Sequence, residues 1–250
     1  MRGKGKVYLV GAGPGSPDLL TIRARKVLEG ADIVLYDQLA GGVRDLLPKR
    51  AELIDCGKSG SRHTMEQDEI ERTMVEKALE GKMVVRLKGG DPFLFGRGGE
   101  ELEALRAAGI PVELVPGVSS AIAVPGCVGI PVTHRSHASE VVILTGHEDP
   151  GKEESTLDWD LLAKFRGTIV VLMGVKNLPS IASRLVSGGK DPETPVAIIE
   201  RGLETDQRVT TGPLGKIGEM GRKAGVRPPA VIVIGGVVGL YREEDLCGAK

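Results

Sequence analysis

Short runs rich in β-branched residues alternate with helical patterns along most of this 250-residue chain. Glycine or proline bounds the runs, and each run has a length suited to one buried strand. They lie at residues 6–10, 32–36, 52–55, 83–88, 112–115, 141–145, 168–173, 196–200 and 230–234. Because strands that alternate with helices usually lie parallel to one another, this order predicts α/β architecture with mostly parallel sheets.

Two helical segments are recognisable from their ends. In the first, residues 64–79, Thr64 and Gln67 have the spacing of a capping box, and Gly81 stands where a helix commonly ends. The second segment begins near Gly98 and carries leucines at helical spacing. Both are expected to pack on a sheet.

A segment rich in glycine, proline and small residues, 116–133, separates two groups of strands. We therefore predict two α/β domains, residues 1–116 with two glycine-rich loops and residues 117–250. The polar segment 147–159 is expected to be an exposed loop of the second domain.

The composition gives no support to several classes of protein. Lys and Arg number 33 against 34 Asp and Glu, which does not fit a dedicated nucleic-acid or membrane-surface protein. The cysteines and histidines match no redox or zinc spacing, so we predict no metal. No apolar run approaches the ~20 residues of a membrane helix, and the basic N-terminus lacks the apolar region of a signal peptide. We predict a cytoplasmic protein.

The first glycine-rich loop follows the first predicted strand and resembles the dinucleotide fingerprint G-x-G-x-x-G. Its glycines are Gly11, Gly13 and Gly15. Ser16 replaces the third glycine of the fingerprint, and Pro14 and Pro17 remove two N–H groups that a pyrophosphate would use. Asp37, after the second strand, supplies the acid that a NAD site requires. A NAD-dependent oxidoreductase and a plain strand-to-helix turn both stay open on this loop alone.

The second glycine-rich loop lies in the stretch RLKGGDPFLFGRGGEE, residues 86–101. Gly89 and Gly90 permit close backbone approach or a positive φ. Asp91 can accept hydrogen bonds from hydroxyl or amine groups of a ligand. The simpler alternative is that Asp91 caps the following helix. From the residues alone, both interpretations remain.

Taken together, motifs in a fixed order resemble the tetrapyrrole methylase family from residue 7 to about residue 238. They read GAGPGSPDLLT, VLYD, CGKSG, RLKGGDPFLFGRGGEE, VPGVSSA, GIPVTHR, TGH and LMG. The resemblance implies two α/β domains with S-adenosylmethionine in the cleft between them. It also implies a homodimer, with dimer contacts expected in the second domain.

The resemblance assigns contacts to the methyl donor residue by residue. The matching positions are Pro14, Gly89, Gly90, Asp91, Leu94, Ser119, Ser120, Met173, Gly202 and Ala230. Family members often carry Thr-Ala where this chain has Ser119 and Ser120. A hydroxyl contact at Ser119 is therefore expected, whereas the contact at Ser120 stays open.

The implied reaction is methylation of uroporphyrinogen III at ring carbons C-2 and C-7, which gives precorrin-2 through precorrin-1 for sirohaem or cobalamin biosynthesis. Asp37 matches a position proposed as general base and Lys58 a proposed proton donor, although both could simply be exposed loop charges. Another methylase of the family and a non-enzymatic tetrapyrrole carrier remain alternatives. We expect one activity, because no stretch is left over for the dehydrogenase or ferrochelatase that some relatives carry.

The carboxylates of such a substrate require basic partners, because charge-assisted hydrogen bonds are the strong ones. Loop residues of this kind, expected to bind substrate, are Arg62, His63, Lys88, Arg97, His134 and Arg135, with Lys58 nearby in sequence. For the loop around Arg62, solvent exposure is the simpler alternative, and for Arg97 it is a packing or capping role.

Overall fold

The computed structural model describes residues 4–57, 65–147 and 155–245. The chain divides into two compact units between Ser119 and Ser120. The sequence places this boundary after residue 116, in the same small-residue segment. Each unit contains one five-stranded sheet with helices packed on it, which confirms the predicted pair of α/β domains.

The N-terminal unit alternates strands and helices from its first element to its last. Its elements are β1 (Lys6–Gly11), α1 (Ile22–Gly30), β2 (Ile33–Tyr36), β3 (Glu52–Asp55), α2 (Gln67–Leu79), β4 (Met83–Lys88), α3 (Gly98–Ala107) and β5 (Val112–Val115), with 3-10 segments at Pro17–Leu19 and Gln38–Leu46.

The sheet of the N-terminal unit has the order β3-β2-β4-β1-β5, and all its described strand pairs are parallel. Gly11 at the end of β1 pairs with Lys88 at the end of β4, and Tyr36 at the end of β2 pairs with Leu87. The carboxyl ends of the strands therefore lie side by side along one edge of the sheet, which runs across the strands. The loops that follow them converge there, where open parallel sheets usually bind ligands.

The helices of this unit cover opposite faces of the sheet. Residues of α1 share a buried cluster with Val10 and Val85, whereas residues of α2 and α3 share another cluster with Leu9 and Val84. The connection after β1 thus leaves toward one face and the connection after β4 toward the other. Because β1 and β4 are neighbours, the two glycine-rich loops flank a topological switch point.

The predicted helix ends agree only in part with the structure. Helix α2 begins at Gln67 with Glu66 as N-cap, so the predicted start at Thr64 and its capping box are wrong, and Thr64 itself lies outside the described residues. At the other end Gly81 has a φ of 83°, as a residue that terminates a helix commonly does. Helix α3 begins at Gly98, as predicted.

The C-terminal unit contains a second layered arrangement. Its elements are α4 (Ser120–Cys127), β6 (Val141–Thr145), α5 (Trp159–Lys164), β7 (Thr168–Leu172), α6 (Leu178–Ser187), β8 (Pro195–Glu200), β9 (Arg208–Pro213), α7 (Leu214–Lys223) and β10 (Ala230–Ile234), followed by 3-10 segments at Gly236–Leu240 and Glu243–Asp245. Helices α5, α6 and α7 share one buried cluster with residues of its sheet.

The sheet of the C-terminal unit is mixed, which departs from the prediction of mostly parallel sheets. Its order is β6-β7-β10-β8-β9, and only β6 and β7 pair in parallel, whereas β10 runs antiparallel to β7 and β8, and β9 runs antiparallel to β8. Strand β9 was not predicted, because its sequence RVTTGP contains no apolar run and it lies at a partly exposed edge. The first sheet confirms the parallel prediction.

The helices of the described chain are short. None of them is both long and apolar enough to span a lipid bilayer. Of the predicted polar loop 147–159, residues 148–154 lie outside the described part, and α5 begins at Trp159.

Candidate active site

The two glycine-rich loops of the N-terminal unit are joined by backbone hydrogen bonds. The N–H of Ala12 donates to the carbonyl of Lys88 at 2.7 Å, and that of Gly90 donates to the carbonyl of Gly13 at 2.7 Å. Gly13 and Gly90 have φ values of 78° and 65°, which glycine adopts at little cost. The loops after β1 and β4 therefore form one continuous backbone surface.

Asp91 ties this surface to the segment that follows β5. Its Oδ1 accepts the N–H of Phe93 at 2.8 Å, and its Oδ2 accepts the N–H of Gly117 at 3.1 Å. The N-cap of α3 is Arg97, so the alternative in which Asp91 caps that helix is wrong. Each carboxylate oxygen keeps a lone pair for a further donor.

Glycine is also required where β1 meets the segment after β5. A Cβ on Gly11 would lie 2.5 Å from the Cα of Gly117 and 2.5 Å from the carbonyl oxygen of Gly90. A Cβ on Gly117 would in turn lie 2.7 Å from the Cα of Gly11 and still closer to the carbonyl oxygen of Gly90. These neighbours are backbone atoms, which cannot rotate away as a side chain can.

We expect Gly117→Ala to lower the free energy of unfolding by about 1–3 kcal/mol, because the added methyl group must displace the backbone of the second glycine-rich loop. Gly99→Ala is the matched control. Gly99 lies in α3 with no atom within 4 Å of its would-be Cβ. The control should be neutral or gain up to ~1 kcal/mol, since alanine favours the helix. Urea denaturation checks both variants, and equal midpoints would contradict the required close approach.

Exposed apolar side chains border the same loops. Leu39 is 64% exposed, and its Cβ lies 2.6 Å from where a Cβ on Gly89 would stand. Phe93 and Phe95 are 48% and 41% exposed within the second loop. Leu94 between them and Pro14 of the first loop are half-buried. The edge thus combines free apolar surface with backbone polar groups, as ligand sites commonly do.

The carboxylate of Asp37 lies at this edge as the outermost member of a cluster of four charges. Its Oδ1 is 2.7 Å from Nη2 of Arg86, and its Oδ2 is 4.0 Å from Nζ of Lys88. The Arg86 side chain is only 2% exposed, whereas that of Asp37 is 31% exposed. Asp37 is therefore the member of the pair that a ligand can reach.

The other acidic member of the cluster, Glu101 of α3, is completely buried. Its Oε1 accepts hydrogen bonds from Nε of Arg86 at 3.0 Å and Nζ of Lys88 at 2.8 Å, and a longer one from Gln67 at 3.4 Å. Its Oε2 has no partner among the described residues. Alternation along β4 directs Arg86 and Lys88 to the sheet face that α2 and α3 cover.

Sequence reasoning missed Arg86 and Glu101 as site residues. The signal was present, because two basic residues two positions apart at the end of a buried strand require a buried acid. Which of several glutamates supplies that acid could not be read from the sequence. The register of α3 on the sheet selects Glu101.

Burial and charge together set the titration of this cluster. Burial acts to lower the pKa of Arg86, but the carboxylates of Asp37 and Glu101 outweigh it and hold that pKa above its ordinary value. Burial, with Arg86 adding to it, lowers the pKa of Lys88, and Glu101 opposes the shift. Burial raises the pKa of the neighbouring Cys56 thiol to about 11. Cys56 is thus a protonated, unreactive thiol at neutral pH.

The basic residues expected to bind substrate lie in different environments. Lys88 is buried and bonded to Glu101. Arg97 is exposed, and its guanidinium makes hydrogen bonds of 2.6 to 3.1 Å to Glu100. Lys58, Arg62 and His63 lie outside the described residues.

In the C-terminal unit, three of the four positions matched to the methyl donor lie at one end of the strands of the mixed sheet. Met173 directly follows β7, Gly202 lies just beyond β8, and Ala230 opens β10. Because β10 runs antiparallel to both neighbours, its first residues stand beside the last residues of β7 and β8. Gly202 also packs against α4, since a Cβ there would lie 3.0 Å from the Cβ of Val124.

Backbone strain in the described chain is concentrated beside these positions. Non-glycine residues with positive φ are Phe95, Arg97, Met173, Arg201 and Leu203. The first two belong to the second glycine-rich loop, and the others are at or next to Met173 and Gly202. Left-handed backbone at a side-chain-bearing residue costs free energy and is commonly retained at ligand sites. The strain is an independent sign that these loops are functional.

The remaining matched residues lie near the start of the C-terminal unit. Ser120 is the first residue of α4, and Ser119 precedes it. His134 closes a short turn in which its Nδ1 accepts the N–H of Ser136, and Arg135 in that turn is exposed. The rings of His134 and His137 are 4.9 Å apart. Within the described ranges, no three His, Cys, Asp or Glu side chains are grouped as metal ligands.

Comparison with known proteins identifies the family of this chain. The family model for tetrapyrrole (corrin/porphyrin) methylases matches residues 6–218. An S-adenosyl-L-methionine-dependent uroporphyrinogen III methyltransferase from Methanosarcina barkeri is 58% identical over 98% of this chain and 96% of its own length. A uroporphyrinogen-III C-methyltransferase from Methanocaldococcus jannaschii is 52% identical over 94% of this chain and 97% of its own.

A solved structure of a similar enzyme also matches the fold of this chain. The uroporphyrin-III C-methyl transferase from Thermus thermophilus, crystallised with S-adenyl homocysteine, superposes with a TM-score of 0.82 at 41% identity. The match covers 95% of this chain and 100% of the other. The resemblance seen in the sequence motifs is confirmed. This chain belongs to the tetrapyrrole methylase family.

Proposed function

We propose that this chain methylates uroporphyrinogen III with S-adenosyl-L-methionine as the methyl donor. The relatives from M. barkeri and M. jannaschii, which are named as methyltransferases of uroporphyrinogen III, support the substrate, and the ligand of the T. thermophilus structure supports the donor. The observation that carries the proposal is the position of the Asp37 carboxylate. It is held at the sheet edge by Arg86, beside two interlocked glycine-rich loops.

In the full form of the proposal, two ring carbons, C-2 and C-7, are methylated in turn. The products are precorrin-1 and precorrin-2, which supply sirohaem or cobalamin biosynthesis. S-adenosylmethionine provides an electrophilic methyl group and leaves as S-adenosylhomocysteine. The protein must hold the ring carbon in line with that group, exclude water and accept the proton that the ring then loses.

Asp37 is proposed to accept this proton. Its Oδ1 is occupied by Arg86 at 2.7 Å, whereas its Oδ2 is 4.0 Å from Lys88, beyond hydrogen-bond distance. The carboxylate therefore has a fixed orientation and one oxygen left to act as a general base. Lys58 is proposed as proton donor on its match to the family motif alone.

The methyl donor is proposed to contact the two glycine-rich loops and the edge of the mixed sheet. In the N-terminal unit its binding residues would be Pro14, Gly89, Gly90, Asp91, Leu94 and Ser119, and in the C-terminal unit Ser120, Met173, Gly202 and Ala230. The residues present fit such a group. Asp91 is fixed by two backbone N–H groups with lone pairs to spare, and the adjoining Gly89 and Gly90 are partly exposed.

The acceptor is proposed to use both apolar and basic surface. The exposed side chains of Leu39 and Phe93 suit the flat face of a tetrapyrrole. Arg62, His63, Arg97, His134 and Arg135 remain the proposed partners of its carboxylates. Lys88 is a less suitable partner for a substrate carboxylate, because its ammonium group already donates a hydrogen bond to Glu101.

A homodimer in the cytoplasm completes the proposal. The family resemblance implies the homodimer, and the composition predicts the cytoplasmic location. Size-exclusion chromatography with light scattering should give twice the chain mass of 26.4 kDa. A monomer at working concentration would contradict the homodimer without affecting the proposed reaction.

The proposed reaction is tested with enzymatically prepared uroporphyrinogen III and methyl-labelled S-adenosylmethionine under anaerobic conditions. Two labelled methyl groups per tetrapyrrole are expected, at carbons identified by NMR. Label in no tetrapyrrole would refute the proposal. Label only in a later corrin precursor would favour another methylase of the family instead.

Calorimetry separates the oxidoreductase and carrier alternatives. The proposal requires S-adenosylhomocysteine to bind and NAD not to bind. Binding of NAD alone would favour the oxidoreductase, whereas tetrapyrrole binding without turnover would favour the carrier.

A further inference from the structure

We propose that Glu101 is a positioning residue for Asp37 in methyl transfer. It anchors Arg86 against one oxygen of Asp37 and holds Lys88 away from the other. This inference rests on the proposed function and extends it to a residue that does not touch the substrate.

The guanidinium of Arg86 connects the two carboxylates through different nitrogens. Its Nε donates a hydrogen bond to Glu101 Oε1 at 3.0 Å, and its Nη2 forms an ion pair with Asp37 Oδ1 at 2.7 Å. Because the guanidinium is planar and rigid, fixing one nitrogen fixes the direction of the other. Glu101, completely buried on α3, thereby sets the rotation of Asp37 at the end of β2.

Lys88 has two carboxylates within reach and is bonded to only one of them. Its Nζ is 2.8 Å from Glu101 Oε1 and 4.0 Å from Asp37 Oδ2. If Glu101 lost its charge, Asp37 would be the one negatively charged member of the cluster left near the buried ammonium group of Lys88. Lys88 would then move onto Oδ2, and the oxygen that accepts the ring proton would be occupied.

Stability alone does not account for such a cluster. Burying charges costs solvation free energy, and apolar side chains of similar volume commonly replace a buried ion cluster without loss of stability. Neighbouring positions on the same sheet face, such as Leu9 and Val84, are apolar. Only one member of the cluster is substantially exposed, and it is Asp37 at the ligand-binding edge. The arrangement therefore serves the orientation of that carboxylate.

Because Oε2 of Glu101 has no partner among the described residues, Glu101→Gln is a conservative substitution with which to test the inference. All three donors converge on Oε1, and Oε2 bonds to none of the described residues. In Glu101→Gln the amide oxygen can take the place of Oε1 and keep the hydrogen bond from Arg86, whereas loss of the negative charge releases Lys88 toward Asp37. Glu103→Gln is the matched control, because Glu103 lies exposed on the same helix.

The test is a double-mutant cycle on turnover with Glu101→Gln, Asp37→Asn and the combined variant of the holoenzyme. Glu101→Gln should lower kcat by about tenfold to 100-fold, as loss of positioning groups does, with the KM for S-adenosylmethionine nearly unchanged. In the Asp37→Asn background the same change should lower kcat less than about twofold, because coupled residues are not additive. Glu103→Gln should retain full kcat.

Equal reductions in both backgrounds, or an unchanged kcat in Glu101→Gln, would overturn the inference. If Glu101→Gln does not fold, Arg86→Lys takes its place, because lysine keeps the charge but cannot bond two carboxylates in the same planar geometry. The same cycle is run on urea midpoints, which need no activity. Additive midpoint shifts would show that Glu101 and Asp37 are uncoupled and would also overturn the inference.

Failure of the proposed function gives a different result. If the unaltered protein transfers no methyl group, the proposed function and its positioning residue both fall, while coupled urea midpoints would still establish the network. If methyl transfer occurs and Asp37→Asn leaves kcat unchanged, the function stands and the positioning role is refuted.

Discussion

Asp37→Asn is expected to lower kcat by about 100-fold or more, since general bases commonly contribute 10²–10⁴-fold. The amide has nearly the shape of the carboxylate and keeps an oxygen at the position of Oδ1, which lies 2.7 Å from Nη2 of Arg86. It cannot take up a proton at neutral pH. The KM for S-adenosylmethionine should change little, because the glycine-rich loops and Asp91 are untouched. Initial rates of label transfer at saturating donor measure the effect.

Asp45→Asn is the matched control for this prediction. Asp45 lies exposed in the Gln38–Leu46 segment that follows Asp37, so it tests the loss of one nearby negative charge. It should retain full turnover. A similar decrease in both variants would indicate a general electrostatic effect, and an active Asp37→Asn variant would remove the general-base role.

Asp91→Ala is expected to raise the Kd for S-adenosylhomocysteine by about tenfold or more. The variant loses the bonds at 2.8 Å to Phe93 and 3.1 Å to Gly117, and a proposed contact to the ligand. Each hydrogen bond to a charged group is worth about 1.5–3 kcal/mol, and 1.4 kcal/mol corresponds to tenfold in Kd. Titration calorimetry measures the change.

Asp91→Asn separates the two contributions of this side chain. The amide has one acceptor oxygen, so it can keep the bond to Phe93 or the bond to Gly117 but not both. Its affinity should fall between those of the parent and Asp91→Ala. Unchanged Kd in both variants would show that Asp91 neither contacts the ligand nor organises its loop. At saturating donor, Asp91→Ala should lose less kcat than Asp37→Asn.

The secondary structure could be predicted wherever burial leaves an apolar pattern in the chain. Every described strand except β9 coincides with a predicted run, because buried strands select β-branched residues. Strand β9 lies at an edge with polar, partly exposed residues, so it leaves no such pattern. The direction of β10 could not be predicted, since parallel and antiparallel central strands bury the same kinds of side chains.

The candidate site could be predicted only where its residues lie close together in the sequence. The GGDP loop was predicted to be a binding element on its family resemblance, because its residues alone left capping and binding open. Two features of the site arise because strands β1, β4 and β5 are neighbours. One is the hydrogen bond from Gly117 to Asp91, and the other is the close approach of Gly117 to Gly11, which leaves no room for a side chain at Gly11.

The α/β architecture, the family and the positions of the glycine-rich loops could be read from the sequence, because local patterns and motif order record these features. Only the tertiary structure showed that Arg86, Lys88 and Glu101 surround Asp37. Lys88 was predicted to be a charged loop residue, but it is buried and forms an ion pair with Glu101. Burial and charge pairing depend on which elements pack together, and those contacts join residues far apart in the chain.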